Sequence, residues 1–424
     1  MERIKGDVIP FSLPSLGKEE MDEVADVLES GWITTGLKAK TFEQVVTGYV
    51  GSGYGVAVNS CTAALHLALD AIGTRSGDEV ITTPMTFAAS AEVIRYFRAK
   101  PVFIDVEDAT LNIDASRIEE YLDKKRVSGK SRDRKVKAII PVHYAGHPCD
   151  MDAIQAVAKK YGVSVIEDAA HAFPAVYRGR IIGSIGDITC FSFYATKNIT
   201  TGEGGMAVTD RPEWADRMRI MSLHGISRDA WKRYASDGHW YYEILEAGFK
   251  YNLTDIAAAI GIVQMRKVDD FLQRRTEIAN AYNEAFSKLP GVRIPLVRDY
   301  AAGQWVARQD LGGVDVGRRI GLGDRTIHSW HLYPVRVDEA VIPCSRSTVI
   351  TELKSLGIQT SVHFIPLHIH PYYRKKYGYR ETDYPNAFRE YTKIISLPIY
   401  PRMTDLEVER VIESFSAVIR RNVR

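Results

Sequence analysis

Cysteine is scarce in this chain. Its four residues, Cys61, Cys149, Cys190 and Cys344, stand far apart and in no CxxC pair. That argues against a disulfide framework and reads as free thiols in a reducing, cytoplasmic setting. Long hydrophobic runs are missing as well. Nothing approaches about 18 consecutive apolar residues, so no membrane span is expected, and the opening MERIKGDVIPFSLP lacks the apolar stretch of a secretory signal. An excess of one charge is also absent. Fifty-five basic residues stand against 53 acidic ones, a net charge of +2, and no basic stripe suggests nucleic acid or an anionic membrane as a partner. There is no internal repeat and no low-complexity tract. The GSGYGV segment follows no strand and lacks GxGxxG spacing, and no GK[ST] follows NSCT, so neither a dinucleotide fold nor a Walker loop is expected. The sequons at Asn198 and Asn252 fall inside the motifs described next and read as coincidence.

What is present is ordinary globular composition, 45% hydrophobic and 25% charged, in a chain of 424 residues. That length suits two or three domains. A helical lead-in, marked by KEEMDEVADVLESG, occupies the first fifty residues. Seven nearly unbroken apolar runs follow: GVAVNS, DEVITTP, PVFIDV, VKAIIPVHY, VSVIEDA, DITCFSF and GMAVTD. Helical stretches such as CTAALHLALDAIG and MDAIQAVAKKYG lie between them. This alternation predicts an α/β fold with a mostly parallel seven-stranded sheet covered by helices. NLTDIAAAIGIVQMRKVDDFLQRRTEIANAYNEAFSKLPG predicts one long bridging helix. The expected division is a large cofactor-binding domain over 1–265 and a smaller α+β domain over 266–424. Within the latter, HSWHLYPVRV reads as a strand, STVITELKSLG and TDLEVERVIESFSAVIRR as helices, and the Gly-rich 301–327 stretch as an irregular or mobile insertion.

The chemistry gathers at predicted strand ends. Lys197, in FSFYATKNITTGEGG, sits in a small-polar turn between apolar strands, where a lysine has no packing role and Schiff-base chemistry is the job available. Asp168 closes the VSVIED strand at the edge where open α/β sheets bind ligands. A lysine and a carboxylate facing a pyridine nitrogen are the two requirements of a pyridoxal phosphate site. Between Asn59 and Thr62 a strand turns into a helix whose N-terminus, with the hydroxyls of Ser60 and Thr62 about Cys61, suits a phosphate or is an ordinary cap. Phe87 can stack on a flat ring or be a core aromatic. His171 can meet a ring oxygen, and Ser192 can add a phosphate ligand. His363, His368 and His370 have an irregular H-x4-H-x-H spacing with no cysteine near, which reads as a substrate loop or surface and not as zinc.

Taken together, NSCTAALHLAL, GDEVITTPMTF, IEDAAHA, CFSFYATKNITTGEGG and YNLTDIAAAIGIVQ resemble the DegT-type sugar aminotransferases, pyridoxal phosphate enzymes with an aspartate aminotransferase-like fold. The resemblance implies that Lys197 forms the Schiff base and Asp168 pairs with the pyridine nitrogen. It places His171 near the ring oxygen and Phe87 on the ring. Ser60, Cys61, Thr62, Ala63 and Ser192 form the phosphate turn. Asn252 reaches the phosphate of the partner subunit's cofactor, making a homodimer the catalytic unit. The segments around Arg228, Tyr241, Tyr242, His331 and His363 look most like enzymes that aminate C4 of a UDP-linked 4-keto-6-deoxy-hexose with glutamate as donor, giving 2-oxoglutarate. A C3 keto-sugar or cyclitol aminotransferase, or a non-catalytic cofactor- or sugar-binding regulator, are the alternatives. A related group with His in place of the lysine performs dehydration; this chain keeps Lys197. Two departures from the family pattern, Phe173-Pro174 and the long 301–327 stretch, bear on substrate fit.

Overall fold

The computed structural model describes residues 8–127, 135–227, 241–300 and 302–423. Two helices, α1 (Lys18–Ser30) and α2 (Leu37–Val50), lead into the sheet. Its strands are β1 (Tyr54–Val58), β2 (Glu79–Thr82), β3 (Lys100–Phe103), β4 (Val136–Ile139) and β5 (Ser164–Asp168). After a small hairpin of β6 (Val176–Tyr177) and β7 (Arg180–Ile181), β8 (Ile188–Ser192) and β9 (Gly205–Thr209) complete it. All seven apolar runs of the sequence are thus strands of one sheet, in the order β1-β9-β8-β5-β4-β2-β3. The pairings from β3 across to β8 are parallel, while β9 runs antiparallel to both β8 and β1. Strands β2, β8 and β9 are buried along their whole length. That explains why they read as continuous apolar runs and not as alternation.

Helices α3 (Cys61–Ala71), α4 (Ala89–Tyr96), α5 (Ala115–Val127), α6 (Met151–Tyr161) and α7 (Pro212–Ser222) accompany the sheet. One apolar cluster includes Phe42, Ile81, Val165 and Phe191, and another Leu65, Val80, Ile166 and Ala207. Alternate residues of β2 and β5 therefore pack into different cores, as the period of two requires for a sheet covered on both faces.

The long helix expected over 252–291 is two helices, α8 (Asp255–Arg266) and α9 (Val268–Phe286). They break at Lys267 (φ −108°, ψ 0°), whose N–H bonds the carbonyl of Gln264, three residues back. Tertiary contacts accompany the break: the Lys267 amine lies 2.9 Å from both Glu19 and Glu20 of α1. Helix propensity in MRKVDD gives no hint of it.

Beyond α9, β10 (Val292–Arg293) precedes a short hairpin of β11 (Val297–Asp299) and β12 (Gln304–Val306). Strand β13 (Tyr333–Val337) pairs antiparallel with β10 and with the later β14 (Ile394–Leu397). Helices α10 (Arg346–Ser355), α11 (Pro371–Tyr377) and α12 (Pro385–Lys393) intervene, and α13 (Asp405–Asn422) closes the described chain. Their core joins Tyr282 and Phe286 of α9 to Val335, Leu397 and Phe415. Apart from β12 the Gly-rich stretch is irregular, but it is packed: Leu311, Val316, Leu322 and Ile327 are buried in the same cluster as Phe42 and Phe191.

Candidate active site

The chain leaves β1 at Val58, turns through Asn59 and Ser60, and enters α3. Ser60 is in extended backbone and its Oγ accepts the Ala63 N–H at 3.1 Å, a side-chain cap. The N–H groups of Cys61 and Thr62, in the first turn, have no acceptor within the helix and carry its positive end. Gly205 of β9 pairs with Val58 on one side and Ser192 on the other. A Cβ at Gly205 would lie 2.4 Å from the Ser60 carbonyl carbon and 2.5 Å from the Cys61 nitrogen. Glycine there lets the strand pass against the turn and brings Ser192 beside Ser60 and Thr62.

At the end of β5, Asp168 is buried. Its backbone is held by Pro141 and His143. Its carboxylate accepts Ser90 Oγ at 2.7 Å and the Ala170 N–H at 3.2 Å. Burial pushes the Asp168 carboxyl above the ordinary carboxylate range, against the pull of these donors and of Lys197. His171, three residues on, is also buried, and its Nδ1 has no hydrogen-bond partner among the described residues. Its ring stacks on Phe364 at 5.6 Å and lies 4.4 Å from the ring of His331. Burial, with Lys197 and His363 nearby, drives His171 well below the usual histidine value, so it is neutral.

Lys197 follows a turn in which its N–H bonds the Tyr194 carbonyl at 2.9 Å. Burial lowers its amine from 10.5 to about 8, while Cys61 and Asp168 act in the opposite direction. Phe87 precedes α4, is 66% exposed and lines the cavity, its ring 6.3 Å from that of Phe364.

These groups line one cavity of about 600 Å³: Ser60, Cys61, Thr62, Phe87, Asp168, His171, Ser192, Lys197, His331 and His363. Ala63 is buried just behind it in α3. His331 is held through Nδ1 by Asn198 Oδ1 at 3.2 Å, and His363 through Nδ1 by Ser396 Oγ at 3.0 Å.

Two sequence expectations lie elsewhere, and a third falls outside the described residues. Asn252 is not on its own chain's cavity. Its backbone bridges Val58 and its side-chain amide donates to Thr35 Oγ1 at 2.6 Å. Tyr241 and Tyr242 are exposed and do not line the cavity, the Tyr241 hydroxyl meeting Glu243 at 2.7 Å. Arg228, with Lys232 and Arg233, lies outside the described residues. Nor does either family departure reach the cavity among the described residues. Phe173 is a core aromatic 5.1 Å from Phe191, and the 301–327 stretch packs on the same core. His368 is buried against Tyr384 and so does not share the environment of His363.

Sequence reasoning passed over Ser90, Phe364, Asn198 and Phe11. Ser90 had a signal, its i, i+3 spacing from Phe87 at the start of a helix. Phe11 had none. It stacks on His363 at 5.4 Å from the N-terminal segment, far away in the chain.

The arrangement fits pyridoxal phosphate. A helix N-terminus with two serine hydroxyls and a threonine suits the phosphate. An exposed aromatic suits the ring face, a buried carboxylate the pyridine nitrogen, and the unpartnered His171 Nδ1 a ring oxygen. A lysine of lowered basicity suits the aldehyde.

Known proteins agree. Residues 14–416 match the family described as the DegT/DnrJ/EryC1/StrS aminotransferase family. The spore coat polysaccharide biosynthesis protein SpsC of Bacillus subtilis is 47% identical over 421 residues, 99% of each chain. Spr1654 of Streptococcus pneumoniae, solved in its PMP form, is 34% identical with a TM-score of 0.84, over 98% of this chain and 100% of that one. DesI, solved with its TDP-sugar product, is 26% identical with a TM-score of 0.78, over 99% and 95%. The chain therefore belongs to the DegT/DnrJ/EryC1/StrS aminotransferase family, whose cofactor is pyridoxal phosphate.

Proposed function

We propose that the protein moves an amino group from glutamate to C4 of a UDP-linked 4-keto-6-deoxy-hexose, as a step toward an amino sugar of a surface glycan. One observation carries this reading: Lys197, Asp168 and the N-terminus of α3 share a single cavity. SpsC, by its name, serves polysaccharide biosynthesis, and DesI was solved with a nucleotide-linked sugar. Both support a sugar substrate, and the second supports a nucleotide link, there to TDP.

When bound, pyridoxal phosphate supplies an electron sink for the α-carbon of the amino group. The rest falls to the chain. The Cys61 and Thr62 N–H groups, with Ser60, Thr62 and Ser192, would anchor the phosphate. Phe87 would cover one face of the ring, and Asp168 would keep a proton on the pyridine nitrogen. Lys197, with its basicity lowered to about 8, takes a proton from the substrate carbon and returns it on the far side of the exchange; a base poised near neutrality suits that role. His331 and His363, both pushed below the usual histidine value by burial, offer neutral imidazoles for sugar hydroxyls. Basic residues in the 228–233 segment can meet a diphosphate or the donor carboxylate by charge-assisted bonds. Asn252, whose amide bonds Thr35 Oγ1 in its own chain, would serve the partner subunit's site of a homodimer, as the family resemblance implies.

The test is a panel of UDP- and TDP-linked 3-keto and 4-keto hexoses, with an unlinked keto-sugar and a cyclitol ketone, each with glutamate. The expected product carries its amine at C4 and forms fastest from the UDP sugar, as read by NMR. An amine at C3, or turnover only without a nucleotide, overturns the assignment.

A further inference from the structure

Two hydroxyls behind Phe87 form a chain that ends on Asp168. Thr86 Oγ1 and Ser90 Oγ are 2.7 Å apart, and Ser90 Oγ lies 2.7 Å from Asp168 Oδ2. Thr86 and Ser90 are both buried, with 2% and 0% exposure, so neither hydroxyl trades its bond for water. We propose that Thr86 and Ser90 are positioning residues whose one-way hydroxyl relay keeps Asp168 ionised and turned toward the cofactor ring. The inference rests on the proposed role of Asp168.

Proton counting sets the direction. Ser90 has one hydroxyl proton, and an ionised carboxylate can only accept. With that proton on Asp168 Oδ2, Ser90 must accept from Thr86, so Thr86 donates. If Asp168 were protonated, it would donate to Ser90, and Ser90 would have to turn its own proton elsewhere. The alternatives are Thr86 and the Phe87 carbonyl, the latter 3.5 Å from Ser90 Oγ, at the limit of a hydrogen bond. With Ser90 turned to Thr86, 2.7 Å away, the buried Thr86 hydroxyl would lose its acceptor, and Thr86 Oγ1 makes no other hydrogen bond among the described residues, so the relay is fully satisfied only with Asp168 ionised. Bonds to an ionised group are stronger than neutral ones, and buried chains of them reinforce one another.

The other groups that act on Asp168 do not make the relay redundant. Lys197 and His143 favour its charge. The thiols of Cys61 and Cys190, both buried and both pushed up by burial first and Asp168 second, stay neutral beside it. Glu167, next in the strand, is engaged by His143, Thr189 and the Gly186 N–H. The Ala170 N–H, at 3.2 Å, is a longer bond to the other oxygen. Ser90 is thus the short donor that opposes the cost of burying this carboxylate. The same turn of chain places Phe87 on the cavity between its two hydroxyls.

The experiment compares holoenzymes of the parent, Ser90→Ala, Ser90→Thr, Thr86→Val, Thr82→Val and Asp168→Asn. Two quantities are measured across pH: the cofactor dissociation constant by equilibrium dialysis, and the acid limb of turnover. Loss of a bond to a buried charge is worth on the order of tenfold in such an equilibrium. Ser90→Ala is expected to release cofactor roughly tenfold more readily and to move the acid limb upward. Ser90→Thr is expected to restore both, and Thr86→Val to do the same as Ser90→Ala to a lesser degree. Thr82→Val removes another buried hydroxyl bond, to the Ile140 carbonyl at 3.0 Å. It should lower the melting temperature without touching either readout. Ser90→Ala and Thr86→Val with the parent's cofactor affinity and acid limb overturn the relay, as does Thr82→Val reproducing the Ser90→Ala changes. If Asp168→Asn alone impairs the enzyme, the role of Asp168 stands and the relay falls. If Asp168→Asn also behaves as the parent, the role of Asp168 itself is wrong.

Discussion

Gly205 of β9 lies against Ser60 at the start of α3, with 2.4 Å between the position of a Cβ at 205 and the Ser60 carbonyl carbon. The neighbours at fault are backbone atoms, Ser60 C and O and Cys61 N, so no side-chain rotation relieves the contact. Gly205→Ala must push the strand from the phosphate turn. Overpacking of this kind costs about 1–3 kcal/mol, and the displaced N–H groups should weaken cofactor binding more than the stability loss alone suggests. Chemical denaturation and cofactor titration of the variant check both effects.

The amine of Lys197 gives a pH prediction with a definite sign. Burial lowers it from 10.5 to about 8, so in cofactor-free protein the folded state binds this proton less readily than the unfolded chain. The penalty is complete below about 8. It fades as the pH rises toward the ordinary lysine range, where the unfolded chain also becomes neutral. Competitive labelling of the cofactor-free protein with a trace acylating reagent should show Lys197 gaining reactivity with a midpoint near 8, well before surface lysines. Lys197→Met should raise the melting temperature of that form at neutral pH more than at alkaline pH.

Asp255 anchors the lead-in helices. Its carboxylate accepts the N–H groups of Gly36 at 2.7 Å, Ala39 at 2.9 Å and Lys38 at 3.2 Å, capping α2 from across the fold. Asp255→Ala leaves those donors buried or weakly solvated and is expected to cost about 2–3 kcal/mol. A urea titration should show the midpoint falling with little change in slope.

Subunit mixing tests the proposed role of Asn252. Lys197→Ala and Asn252→Ala are each expected to have little activity. If Asn252 acts in the partner's site, a hybrid dimer has one site with both lesions and one with neither, and activity rises above either parent. No rise after demonstrated exchange of subunits places Asn252 outside the partner's site.

Much of this was legible because burial leaves a plain trace. The seven strands could be read since most of their residues are buried and each keeps an apolar centre, such as VI in β2 and β5 and the fully buried run of β9. Lys197 could be read because a charge in a turn between two buried strands, β8 and β9, has no packing purpose. Asp168 followed from its place at a strand end. Other features had no local mark. Ser90 looks like any small helical residue until Asp168, 78 residues away, is placed beside it. The break at Lys267 depends on Glu19 and Glu20 of another helix, and MRKVDD itself contains neither glycine nor proline. Leu311, Val316, Leu322 and Ile327 follow neither helical nor strand spacing, so a packed segment read as a loose one. The sugar side is the least legible. The cavity wall there combines Phe11, His331 and His363 from three distant stretches, and only the fold assembles them.

The most direct test of the account is borohydride reduction of the purified protein followed by peptide mapping. The protein is expected to be yellow and to lose its colour on reduction, with the cofactor fixed to Lys197 in the peptide spanning ATKNITTGEGG. Label on another residue, or no label in protein shown to be cofactor-loaded, would contradict it.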